Sequence, residues 1–111
     1  MDFDEYQTLA NRTGNFEGKQ AEFALMYLGL GLTSEAGEVA DKIKKIIRND
    51  NGMISPEKRE ALKLEIGDVL WYCSQLARHL EIPFSEIAQA NVDKLADRAT
   101  RNVIASDGDN R

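Results

Sequence analysis

The sequence predicts an all-α fold: a bundle-type subunit of four to five helices that assembles through those helices into an oligomer. Three observations predict it. Apolar residues recur at intervals of three and four over long segments. Only two prolines occur, Pro56 and Pro83, each where a helix would begin. Finally, Glu35-Ala36-Gly37-Glu38-Val39 is echoed by Glu65-Ile66-Gly67-Asp68-Val69. Each copy spaces its two carboxylates three apart, which puts them on one face of a helix.

The elements follow in order. Asp2 to Asn11 carries Phe3, Tyr6, Leu9 and Ala10 at helical spacing, and Thr13 to Gly18 reads as a loop. A long helical region runs from about Lys19 to Arg48; Gly29 and Gly31 weaken its first half and leave room for a break before Thr33. Asn49-Asp50-Asn51-Gly52 is a turn. It is not a calcium loop: with Gly52 at that loop's glycine position, Ile47 and Lys58 would fall on ligand positions that neither can serve. Ser55 caps a helix that has Pro56 at its first position and continues to about His79. Pro83 opens a last helix to about Val103. The chain thus reads as one domain over 1–105, with a small polar tail at 106–111 expected to be disordered.

At 111 residues the chain suits one small domain. Its net charge of −5 and the lack of a strongly basic face argue against nucleic-acid binding. The longest apolar run, Phe23 to Leu32, is too short to span a bilayer, so no membrane role and no secretory leader are expected. One cysteine cannot form an internal disulfide, which fits a reducing, cytoplasmic setting; Cys73 reads as a core residue.

Helical phase relates the acidic pairs to the core. Leu32, Ala36, Val39, Ala40, Ile43, Ile46 and Ile47 form one apolar stripe. Leu62, Ile66, Val69, Leu70, Cys73, Leu76, Ala77 and Leu80 form another. At 100° per residue, Glu35 and Glu38 lie about 80° and about 140° from the centre of theirs, and Glu65 and Asp68 repeat those angles. Both pairs therefore flank a core-facing stripe on the same side and can reach a shared cleft. A glycine inside a helix costs about 1 kcal/mol relative to alanine. Gly37 and Gly67, each inside an acidic pair, are therefore expected to allow close approach by a neighbouring helix or a ligand.

With nineteen acidic residues in the chain, one such pair would be unremarkable on a solvated helix. Two pairs matched in glycine, valine and phase point to a divalent cation among four carboxylates. The lone His79 has Leu76 three residues before it, so the Glu-x-x-His pattern of di-iron bundles is absent. All-oxygen ligation suits Mg²⁺, with Mn²⁺ the alternative. Magnesium held by carboxylates keeps waters and binds phosphates, so a phosphate-bearing substrate is expected. Lys42 and Lys45 continue the first acidic face, and Asn91, Lys94 and Arg98 share one flank of the last helix, beside the stripe of Ala88, Val92, Leu95 and Ala99. These groups could hold phosphate; equally, Lys42 could form a routine i, i+4 pair with Glu38. Trp71 and Tyr72 offer rings for stacking on a base, although packing of Trp71 on the first helix or on another subunit is the stronger expectation.

Glu35-x-x-Glu38, a basic helix end, a linker, Glu65-x-x-Asp68 followed by Val-Leu-Trp-Tyr, and Asn91-x-x-Lys94-x-x-x-Arg98 together resemble the MazG-like nucleoside triphosphate pyrophosphohydrolases over about Gly29 to Arg101. The resemblance implies an all-α NTP pyrophosphatase-like fold, a homodimer or dimer-of-dimers tetramer, and Mg²⁺-dependent cleavage of (d)NTPs between the α and β phosphates. It implies Glu35, Glu38, Glu65 and Asp68 as metal ligands and Lys94 and Arg98 on phosphates; among the carboxylates, Glu38 and Glu35 are the candidates for the catalytic role of orienting the attacking water. It places Asn91 on the substrate or on a ligand carboxylate. Many family members carry two adjacent glutamates where this chain has Ser34-Glu35, one carboxylate fewer. Related all-α phosphohydrolases act on dUTP, dCTP or phosphoribosyl-ATP, and a helical dimerisation module without catalysis would explain the stripes but not the matched motifs.

Overall fold

The computed structural model describes residues 1–14 and 21–101. The expected disordered tail, the latter part of the predicted loop and the outer ends of the second and last predicted helices lie outside these residues. Four α-helices and one 3-10 turn are present among them: α1 (Phe3–Ala10), the 3-10 turn (Asn11–Thr13), α2 (Ala21–Asp50), α3 (Pro56–His79) and α4 (Phe84–Arg101). The architecture is all-α, as predicted.

Local chemistry sets the ends. Asp2 caps α1 by accepting from the Glu5 amide at 2.8 Å. The helix tightens into the 3-10 turn at Asn11, where the sequence suggested one more helical residue and then a loop. Ser55 caps α3 by accepting from the Lys58 amide at 3.2 Å, with Pro56 in the first turn. Between α2 and α3, Asn51 and Gly52 adopt positive φ of 54° and 79°. That turn returns the Gly52 and Met53 amides to the carbonyls of Ile46 and Asp50 at 3.2 and 3.0 Å. So short a link makes α2 and α3 an antiparallel hairpin, and this pair forms the main body of the fold.

α2 runs unbroken through Thr33, against the expected weak point. Thr33 returns its hydroxyl to the Gly29 carbonyl at 3.2 Å. At Gly31 the small residue is needed, because the Tyr72 ring of α3 lies directly against it.

α1 and α4 pack at the far end of α3. The Gln7 amide nitrogen donates to the carbonyls of Ile82 (3.0 Å) and Ser74 (3.4 Å), and its oxygen accepts from the Phe84 amide at 3.2 Å. One side chain thereby ties three segments together. Phe84 is buried, with Phe3 edge-on to it at 5.1 Å. The Asp4 carboxylate accepts from the Ser85 amide and hydroxyl at 2.9 and 2.7 Å, and these bonds hold it below the usual carboxylate range.

The two predicted stripes are only partly inside. On α2 the face turned to α3 is Leu28, Leu32, Glu35, Val39, Lys42 and Ile46, while Ala36, Ala40, Ile43 and Ile47 are exposed. On α3, Ser74, Gln75 and Ala77 are buried, whereas Ile66 and Leu80 are 57% and 55% exposed. The α4 stripe likewise leaves Val92 and Leu95 exposed. The true interface is rotated toward the acidic side of each sequence stripe. The stripes are wider than one neighbouring helix can cover. Cys73 is half-buried, and burial pushes its thiol up.

Candidate metal centre

The α2–α3 hairpin brings three of the four predicted carboxylates together. Glu35 from α2 and Glu65 and Asp68 from α3 offer ligand oxygens that all lie within 4.8 Å of one another. Glu35 and Glu65 are half-buried in the groove and Asp68 is exposed at its edge. Glu38, one turn beyond Glu35, is exposed and stands outside this triad.

The electrostatics are those of a site short of positive charge. Partial burial raises the Glu35 pKa, and the nearby charges of Asp68, Glu65 and Glu38 raise it further. Lys42 reaches across from α2 to Glu65, with Nζ 3.3 Å from Oε1. The expected i, i+4 pair with Glu38 is therefore not what forms. The lysine stem follows the groove and puts its ammonium on the neighbouring helix, where the carboxylates are denser. Three oxygens this close, with one ammonium already drawn to them, fit a hard divalent cation.

Lys45 pairs with Asp41 at 2.6 Å, and Asp41 also meets Lys44 at 3.3 Å. These two lysines hold the Asp41 carboxyl below its usual range. Lys42 and Lys45 line a cavity of about 240 Å³ between the helices, together with Ile46, Asn49, Lys58 and Ala61. Lys58 and Asn49 did not stand out in the sequence. The usable signal was phase: Lys58 lies seven residues before Glu65, and Asn49 lies seven after Lys42, two turns along the same faces.

Asn91 and Lys94 are exposed on α4, and no hydrogen bond or ion pair joins either to the triad among the described residues. Arg98 is half-buried on the same helix. The Trp71 indole is engaged with the first helix end, donating to the Ala10 carbonyl at 3.1 Å and to the Thr13 hydroxyl at 3.0 Å. Tyr72 packs edge-on to Trp71 at 4.9 Å, against Gly31. Burial raises the Tyr72 pKa, as do its hydrogen bond with Tyr27 and the charges of Glu35 and Asp68, so its ring stands beside the acidic end of the groove. At Gly37 and Gly67 an added Cβ would meet nothing within 4 Å. The neighbouring helix is therefore not the reason for either glycine within this subunit. Close approach occurs instead at Gly31 and at Gly14, which abuts Gln75.

No helix among the described residues is long and apolar enough to cross a membrane. A family model described as the MazG nucleotide pyrophosphohydrolase domain matches residues 24–103. Gene 37 protein of Mycobacterium phage L5 is 43% identical over 114 aligned residues, an alignment covering 100% of both chains. No solved structure matches significantly.

Proposed function

The chain belongs to the MazG nucleotide pyrophosphohydrolase domain family, and from that premise we propose that it hydrolyses (d)NTPs between the α and β phosphates, giving a nucleoside monophosphate and pyrophosphate. The observation that carries this reading is the triad of Glu35, Glu65 and Asp68, with ligand oxygens within 4.8 Å across two helices. Together they would hold Mg²⁺, with Mn²⁺ as substitute. The cation would offset the negative charge that develops on the phosphates.

The chain's own residues supply the rest. Glu38 is exposed, one helical turn from Glu35 and outside the triad, so its carboxylate would orient the attacking water and accept its proton. Lys42 is placed to neutralise a phosphate oxygen beside Glu65. Asn91, Lys94 and Arg98 would complete the phosphate contacts from α4, and Tyr72 offers the ring nearest the acidic end for a base. Ser34 precedes Glu35, so the chain would offer a cation one carboxylate fewer than many relatives of this pattern. The exposed apolar residues Leu30, Ile43 and Ile47 of α2 and Val92 of α4 give a second copy of the chain a surface to cover, which supports a homo-oligomer.

The test is release of pyrophosphate and monophosphate from a panel of canonical and modified NTPs, including dUTP and dCTP, with Mg²⁺ and with EDTA. Metal-dependent release, abolished in Glu38→Gln with the helical circular dichroism unchanged, is the expected result. Full activity in that variant would remove Glu38 from the mechanism. A folded, Mg²⁺-binding protein that releases nothing from any NTP would overturn the reaction.

A further inference from the structure

The carboxylate triad occupies only one end of the α2–α3 groove. On α2, Glu35, Glu38, Lys42, Lys45 and Asn49 recur at intervals of three and four, which lines them up along one side of the helix. On α3, Tyr72, Asp68, Glu65, Ala61 and Lys58 form the matching file, running the other way. Cross-helix contacts hold the two files side by side: Tyr72 on Gly31, Lys42 on Glu65, and Lys58 on Asp50. Charge therefore changes sign along the α2–α3 interface. Carboxylates line one end, and the lysine-lined cavity of about 240 Å³ opens at the other.

We propose that this cavity receives the β and γ phosphates, the pair that leaves as pyrophosphate, with Lys58 and Asn49 as specificity residues for a triphosphate over a monophosphate. The assignment rests on the pyrophosphohydrolase reading above and extends it to groups which that reading does not use. Seven residues separate Lys58 from Glu65, a rise of about 10 Å. A triphosphate with its α-phosphorus at the triad can bridge that span to reach lysine contacts.

The charges favour this once the triad is neutralised. Lys42 is held by Glu65, itself a triad oxygen donor. A cation held by Glu65 would relieve that carboxylate's demand and would leave the Lys42 ammonium for an anion. The lining lysines Lys42, Lys45 and Lys58 then outnumber Asp41 and Asp50, the carboxylates paired with Lys45 and Lys58. The floor is apolar, made by Ala61 and the buried Ile46, which strengthens charge-assisted bonds at its edge. Pyrophosphate binding is accordingly coupled to cation binding.

The experiment is calorimetric titration of inorganic pyrophosphate, and separately of a nucleoside monophosphate, into the full chain with Mg²⁺ and with EDTA. Wild type should bind pyrophosphate more tightly with Mg²⁺ present. Lys58→Met should weaken that binding on the order of tenfold, as loss of one charge-assisted contact does, and should leave the monophosphate unaffected. Lys58→Arg should restore most of it. Because Lys58 also pairs with Asp50, Asn49→Ala carries the same test should Lys58→Met fail to fold. Unchanged pyrophosphate affinity in the folded variants, or equal losses for both ligands, would overturn the proposal. NTP turnover by wild type separates the two readings: turnover with unmoved pyrophosphate affinity sinks this cavity assignment alone, whereas absence of turnover sinks the reaction on which it rests.

Discussion

Alanine at Gly31 and alanine at Gly29 should have different consequences although the two positions lie two residues apart in α2. A Cβ on Gly31 would stand 2.1, 2.4 and 2.7 Å from Cε1, Cζ and Cδ1 of Tyr72. Carbon atoms in contact rest at about 3.5–4.0 Å, so the ring would have to move by more than about 1 Å. It has little room, since Trp71 is edge-on to it at 4.9 Å. Overpacking of this kind costs about 1–3 kcal/mol, against about 1 kcal/mol recovered from alanine's better helix propensity. At Gly29 nothing lies within 4 Å, so only the gain applies. The two variants should therefore differ by about 1–3 kcal/mol, Gly31→Ala the less stable, or by roughly 4 °C or more in Tm for a domain of this size. Thermal unfolding followed by circular dichroism, at one protein concentration so that self-association does not enter, measures it. Equal melting temperatures would refute the packing of Tyr72 on Gly31 and the helix register drawn from it.

Three further outcomes follow from the same structure. The folded state raises the Glu35 pKa, so it holds that proton more tightly than the unfolded chain does. The resulting stability is present below the ordinary glutamate range and is lost as pH rises through the raised value; metal-free Tm should fall across that window, less steeply in Glu35→Gln, and Mg²⁺ should restore it in wild type only. An identical slope in the variant, or equal protection by Mg²⁺, would count against the triad. Gln7→Ala should lower urea stability by about 1–3 kcal/mol, because it strips partners from the Ile82 carbonyl and the Phe84 amide; a change within error would show that these bonds are replaced by water. Trp71→Phe should cost about 1 kcal/mol through the lost bonds to Ala10 and Thr13 while leaving substrate KM unmoved; a raised KM with unchanged stability would instead make Trp71 a base platform.

The helices were legible because their causes are local. Asp2 and Ser55 are caps whose oxygens satisfy amides three residues on, and Asn51-Gly52 accepts the positive φ that ends α2. The candidate site was legible as two faces, since spacing three apart sets phase and nothing more. Partner choice was not legible. Lys42 has Glu38 at i, i+4 in sequence, yet it bonds Glu65, because α3 presents its carboxylates within reach of the lysine stem. The glycines mislead for a related reason. Gly37 and Gly67 sit in the conspicuous motifs but face open space in the subunit, while Gly31, in no motif, lies under a ring.

What the sequence determined by itself is what depends on neighbours along the chain: the all-α class, the helix ends, and two acidic faces in matched phase. What only the tertiary structure decided is the register of α2 against α3 and the rotation of each about its axis. The apolar stripes are wider than a single contact can cover, so several rotations bury comparable area, and phase cannot choose among them. The observed rotation turns Glu35 and Lys42 inward, leaves Ile43 and Ile47 outside, and sets carboxylates and lysines at opposite ends of the α2–α3 interface.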